Sequence, residues 1–134
     1  MSWTTIKAGL VTGWTAVSGI KRVLPYMPLA IQETPLLYVT LSSFERTYEA
    51  QVSKYTYRAS GTLVIDWQDN GEAETALDAL IESCAQAFDA DMTLGGRLTS
   101  GAALVESGDL GWVDIGGQTY RVAIFPLAIT EIAC

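Results

Sequence analysis

Residues 55–67, YTYRASGTLVIDW, constrain the fold more than any other stretch of this chain. Tyr55, Tyr57, Ala59, Gly61, Leu63, Ile65 and Trp67 fall on one face, and Thr56, Arg58, Ser60, Thr62 and Asp66 on the other. A period of two is the signature of a β-strand with one face on a core. The preceding stretch, 42–54 (SSFERTYEAQVSK), alternates less cleanly, with Tyr48, Ala50 and Val52 spaced by polar residues. It reads as a strand-like arm. Together 42–67 predict a long antiparallel hairpin that reaches past the body of the domain.

The rest of the chain supplies layers for that sheet. Trp3, Ile6, Leu10, Trp14 and Val17 recur at three- and four-residue steps, which predicts an amphipathic helix over 3–17. Gly9 and Gly13 lower its intrinsic propensity, so it must depend on packing. Their spacing also resembles a close-approach motif, a weak signal outside a membrane. Residues 25–35 hold Pro25, Pro28 and Pro35 and read as an irregular connection. Leu36 to Leu41 then reads as a buried strand.

Residues 70–88 carry the strongest helical stripe: Ala73, Ala76, Leu77, Leu80, Ile81, Cys84, Ala87 and Phe88. Asp69 and Glu72 suggest a capping box. Asp89 and Asp91 sit at the wrong end of the helix dipole, with no local reason. A glycine-rich loop, 92–101, precedes three expected strands at Ala102–Glu106, Gly111–Ile115 and Thr119–Ile132. Ser107-Gly108-Asp109 and Gly116-Gly117 provide the turns. Pro126 marks an edge or a bulge. The predicted class is α+β: a mostly antiparallel sheet with a long hairpin, and two main helices packed on one face. All 134 residues form one domain.

Charge is unevenly spread. The net charge is −7, yet residues 1–65 hold six basic and three acidic side chains. Residues 66–91 hold eight acidic side chains and no basic one. That block excludes general DNA affinity, which needs clustered Lys and Arg. Two cysteines, Cys84 and Cys134, do not make a disulfide framework, and a reducing cytoplasm is expected. Cys84, inside the helical stripe, reads as a small buried hydrophobe. No signal peptide and no membrane-spanning segment is expected.

The chain has no histidine. That removes histidine-based triads, histidine-ligated zinc and the commonest general base. Two cysteines cannot form a zinc site alone. No catalytic, metal or cofactor residue is assigned. Glu74, Asp78 and Glu82 recur every four residues on the acidic helix. They read either as a cation or acid–base site or, more plainly, as a solvated face. Like charges at that spacing slightly destabilise a helix, so the face could serve to repel nucleic acid. Gly95-Gly96-Arg97 lacks the context of a phosphate-binding loop. Trp3, Trp14, Trp67 and Trp112 read as core or subunit contacts, and Tyr57, Trp67 and Trp112 as the place to look for a pocket.

An N-terminal helix, a proline-bearing link, 35-PLLYVTL-41, a polar-aromatic hairpin closing in 61-GTLVIDW-67, the acidic helix 72-EAETALDALIESCAQAF-88 and the ending 112-WVDIGGQTYRVAIFPLAITEI-132 succeed one another. This order resembles the tail terminator, or tail completion, proteins of long-tailed bacteriophages, of the lambda tail terminator type. It covers nearly the whole chain and is a likeness of pattern, not of a diagnostic motif.

The resemblance implies a structural virion protein that forms a hexameric ring on the tail tube and stops its growth. It implies contacts with the tube protein and with a neck or head-completion protein, and passage of DNA through the ring without specific binding. It implies no enzyme activity and no cofactor, and a place in the virion after assembly in the host cytoplasm. Phe44, Glu45, Arg46, Tyr48, Glu49 and Lys54 are the expected subunit or tube contacts, against a plainer reading as solvent-facing strand polarity. Glu74, Asp78 and Glu82 are the acids that could face the DNA. Another neck or tube ring protein, and a small-molecule-binding domain, remain the alternatives.

Overall fold

A computed structural model of the chain describes residues 3–31, 33–66, 70–89, 92, 94, 105 and 107–133. Its elements run α1 (Trp3–Thr15), β1 (Arg22–Leu24), β2 (Leu36–Glu49), β3 (Val52–Asp66), α2 (Asn70–Ala85), β4 (Asp109–Ile115) and β5 (Gln118–Ala133). The five strands form one sheet in the order β1-β2-β3-β5-β4. β1 and β2 are parallel, and the other pairs are antiparallel. The architecture is α+β, as the hydrophobic patterns predict.

Alternation explains the layering. Tyr57, Ala59, Leu63 and Ile65 of β3 join Leu37, Val39, Ala123, Phe125, Leu127 and Ile129 in a core with Ile6, Leu10, Trp14, Leu77, Leu80, Cys84 and Phe88. Both helices therefore cover one face of the sheet. The other face holds a smaller apolar cluster of Leu24, Leu36, Tyr38, Val64, Ile115, Tyr120 and Val122, with Ile31 from the proline-rich link against it. Burial on both faces is why the middle of β3 reads as a continuous apolar run.

Trp14 locks the helices to the sheet. It is fully buried, its ring lies over Gly61, and a Cβ on that glycine would fall 2.5 Å from the indole Cη2. Its Nε1 donates to the Cys84 carbonyl at 3.1 Å, and Phe88 meets it edge-on with centroids 4.9 Å apart. Gly13 makes room for that phenyl ring, since a Cβ there would fall 2.2 Å from Phe88 Cε1. The close approach hinted at by the α1 glycines is thus to an α2-side aromatic ring.

Several boundaries differ from expectation. Residues 36–41 and the arm after them are one strand, β2, bent by a bulge between Leu41 and Ser43. The hairpin turns at Ala50-Gln51, both with positive φ (51° and 66°), so Ala50 is a turn residue and not part of the alternating arm. Positive φ at two successive positions matches strand twist but usually selects Asn or Gly, which is why Ala-Gln gives no turn signal. β1 was not foreseen. Three residues paired in parallel with Leu36–Tyr38 are too short to show a period. α1 ends at Thr15 rather than 17, and α2 at Ala85 rather than 88. Residues 86–89 follow α2 as turns, so Asp89 stands outside the helix end it had seemed to oppose. The strand expected at 102–106 lies outside the described residues apart from Val105, which is not in a strand. Asp69 of the capping box and Trp67 also fall outside them. The Gly116-Gly117 turn forms as expected, with φ of 61° and 82°.

Gly61→Val should cost about 1–3 kcal/mol by forcing the indole out of its slot. Gly111→Ala, where a Cβ meets open space, should stay within about 0.5 kcal/mol of the parent. Urea unfolding of the two variants checks both.

Candidate interaction surface

Beyond the bulge, β2 leaves the shelter of the helices, while β3 stays under α1 as far as Tyr57. Every residue from Ser42 to Gln51 is exposed. The register sorts the side chains. Phe44 pairs with Tyr57, Arg46 with Tyr55 and Tyr48 with Ser53, so these share the helix-side face. Glu45 pairs with Thr56, Thr47 with Lys54 and Glu49 with Val52 on the opposite face. The expected contact residues are therefore close together but divided: Phe44, Arg46 and Tyr48 on one side, Glu45, Glu49 and Lys54 on the other. The arm is also broader than a hairpin, because β5 backs β3 as far as Ser53, opposite Ala133.

The helix-side face is a ladder of rings. Trp3, at the start of α1, stacks on Tyr57 (5.7 Å between centroids), and Tyr57 stacks on Tyr55 (5.9 Å). The Arg46 guanidinium lies 5.6 Å from the Tyr48 ring and 5.7 Å from the Tyr55 ring, and donates to Ser53 Oγ at 3.0 Å. Cation–π contacts pre-order a long side chain, lowering the entropy lost on association. Phe44 and Tyr48, each 61% exposed, stand outside the ladder. Exposed aromatic rings beside an ordered arginine are the composition of interface centres. On the opposite face Arg58 and Glu45 form a solvent-exposed ion pair at 2.9 Å, which contributes little to stability.

The acidic helix is less uniform than its sequence. Glu74 is held by Arg121 at 2.7 Å. Arg121 also lies 4.9 Å from the Trp112 ring and donates to the Gly111 carbonyl. Glu74 is therefore part of a packed pair, while Asp78 and Glu82 are exposed.

Tyr57 and Trp112 do not line a common pocket. Tyr57 sits opposite Ile129 and Trp112 opposite Arg121, roughly 27 Å apart along β5 at the strand rise. Gly95-Gly96-Arg97 lies outside the described residues. An open apolar cleft of about 270 Å³ lies between α2 and the β4–β5 pair, lined by Ile81, Ala85, Leu110, Ala123 and Phe125. Ser107 and Asp109 contribute its polar side chains. A polar cleft of about 290 Å³ holds Lys21, Glu33, Thr34, Asp66, Gln118 and Tyr120. Among the described residues no three metal-binding side chains cluster, and no helix is long and apolar enough to cross a membrane.

Sequence reasoning missed two features. Tyr26, Met27 and Leu29 of the link are exposed, Leu29 at 94%. Their apolar character beside three prolines was the available signal. The Trp3–Tyr57 stack joins α1 to the arm and has no local sequence signature.

The chain matches no protein-family model and no curated protein.

Cys84 is fully buried, and burial pushes its thiol up from 9.0 to about 12. In the folded chain it stays protonated where the unfolded chain ionises. Stability should therefore be independent of this group below pH 9, fall from there to about pH 12, and level off above. Denaturant titrations at stepped pH on parent and Cys84→Ala check this, because the substitution removes that slope. With Cys134→Ser as background, a thiol reagent at pH 8 should label Cys84 only after unfolding.

Proposed function

We propose that this chain is a structural virion protein, a ring-forming tail terminator of a long-tailed bacteriophage. In this reading it caps the tail tube, stops its polymerisation and forms part of the head–tail joining interface and the DNA conduit. The observation that carries it is the exposed arm beyond the bulge, with Phe44, Arg46 and Tyr48 on one face and Arg46 held there by the Tyr48 and Tyr55 rings and by Ser53. A ring subunit needs just such patches, and it needs no catalytic residue or cofactor. The resemblance in element order supports the same reading.

The partners are further copies of the chain, six by the resemblance, together with the tail tube protein and a neck or head-completion protein. The site is the virion, after assembly in the host cytoplasm. Charge fits the role. The basic first half and the acidic middle steer subunits into opposite-sign contact. Asp78 and Glu82, exposed on α2, are the acids we place toward the passing DNA, where like charge keeps the polymer sliding.

Native mass measurement, with and without isolated tail tubes, tests the reading. A single closed ring is expected. Long self-assembled tubes would reassign the chain to the tube itself, and a lone subunit that grips a metabolite would end the proposal. Phe44→Ser with Tyr48→Ser should abolish the ring while shifting Tm by no more than about 3 °C, since neither ring is in the core. Asp78→Lys with Glu82→Lys should leave ring assembly intact and slow DNA ejection. Unchanged ejection kinetics would remove the two acids from the conduit.

A further inference from the structure

Two surfaces of this chain each lack what the other offers. Phe44, 61% exposed on the helix-side face of the arm, has no stacking partner among the described residues. Beside it, Arg46 is held by two tyrosine rings and Ser53 but meets no carboxylate among those residues. The complement lies toward the other flank of the sheet. The cleft between α2 and the β4–β5 pair is walled by Ile81, Ala85, Leu110, Ala123 and Phe125, with Asp109 on its rim. Among the described residues no cation pairs with Asp109. The cleft's volume is about 270 Å³, and a cavity of about 150 Å³ already holds a benzene ring. Phe44 is level with Tyr57 and Ile129, and Leu110 with Ala123. Ring and cleft therefore stand roughly 20 Å apart along the strands and three strand spacings apart across them. The chain cannot fill its own cleft.

We propose that a second copy of this chain fills it: Phe44 of one subunit enters the cleft of the next, and Arg46 meets Asp109 on the rim. The inference rests on the ring-forming reading above and names its contact. The two patches differ and lie toward opposite flanks. β2 is the outermost strand of the arm on one side, because β1 reaches only Tyr38, and β4 is the outermost strand on the other. A head-to-tail joint between two different patches is what a closed ring of more than two subunits requires. An aromatic anchor seated in an apolar pocket, with polar groups around it, is the anatomy of an interface centre. The rim pair sets orientation and encounter rate more than affinity.

The joint is made by side chains and adds no strand to either edge of the sheet. β1 pairs β2 only beside Leu36–Tyr38, which ends roughly 20 Å short of Phe44 along the strand. β4 stays in place and serves as one wall of the receiving cleft through Leu110. The link offers a rival occupant, since Tyr26, Met27 and Leu29 are exposed too. Charge decides between them. The depression beside Leu29 carries Arg22 and Glu33 together, so it brings no net charge to Asp109. The helix-side face of the arm brings Arg46 alone, already ordered by its ring contacts, so less entropy is lost when it docks.

Native mass measurement of the full chain across a concentration series tests the joint. Ala85→Phe plugs the cleft from α2. Leu110→Ser, at a half-exposed side chain, removes one wall and takes its place should Ala85→Phe melt below the parent. Phe44→Ser removes the anchor. Each should raise the concentration of half-assembly at least about tenfold. Arg46→Asp and Asp109→Arg should each raise it several-fold, and the two together should return it close to the parent's value. Cleft variants that assemble like the parent would overturn the proposal while leaving the ring-forming reading intact. So would a double charge variant no better than its worse single one, because the two charges would then belong to different contacts. Parent subunits that stay single at every concentration and on tail tubes would sink the ring-forming reading and this joint with it.

Discussion

The fold depends on one slot. Trp14 lies flat where Gly61 leaves out a side chain, and the indole's one polar atom is satisfied by the Cys84 carbonyl. Three elements meet at that ring: α1 supplies it, β3 receives it, and α2 offers the accepting carbonyl, with Phe88 of the turn after α2 making the edge contact. A buried tryptophan that can reach an acceptor adds both area and direction to packing. The two helices need this anchor. α1 contains two glycines, and α2 stacks acids along its exposed side, so neither is a strong helix on its own propensity. Their order comes from the sheet beneath them.

That arrangement leaves the sheet longer than its cover. β3 runs from Val52 to Asp66, but burial on the helix side begins at Tyr57, under Trp3. β2 continues outward with exposed side chains, and β3 with mostly half-buried ones. Such an extension costs conformational entropy that its few core contacts offset only in part. Some of it is recovered locally: Tyr55 stacks on Tyr57, and Arg46 is held between two tyrosine rings. The arm is thus partly stiffened before it meets anything. Stiffening a surface in advance lowers the cost of association, and this is the physical argument behind the contact proposed for the arm.

Legibility in the sequence followed the length of each periodic run. The alternation of 55–67 and the stripe of 73–88 are long enough to set face and partner, and β3 and α2 lie where those patterns place them. β1 has three residues and exists through its pairing with Leu36–Tyr38, so no local pattern could reveal it. The turn at Ala50-Gln51 was hidden for the opposite reason: its residues lack the usual preference, and the strand register imposes the conformation. At the surface, Phe44, Arg46 and Tyr48 could be named from sequence, but their shared face could not. The bulge at Leu41/Ser43 shifts the parity, and parity decides which side chains are neighbours. Glu74 shows the same limit in the helix. Its spacing groups it with Asp78 and Glu82, while the fold gives it to Arg121 across the domain.

The bulge also links architecture to role. Before it, β2 is a core strand, with Leu36 to Val39 buried on both faces; after it, every side chain is exposed. An extra residue in one strand raises local twist and bends the pair. Here it falls at the boundary between the part of β2 that must fit the helices and the part that need not. A straight continuation would carry the core alternation outward and place apolar residues by the demands of packing. By resetting parity, the bulge lets the arm set its own faces: rings and a guanidinium on one side, a mixed-charge row on the other. Two functions with different packing rules then share one strand, and neither sequence pattern has to compromise for the other.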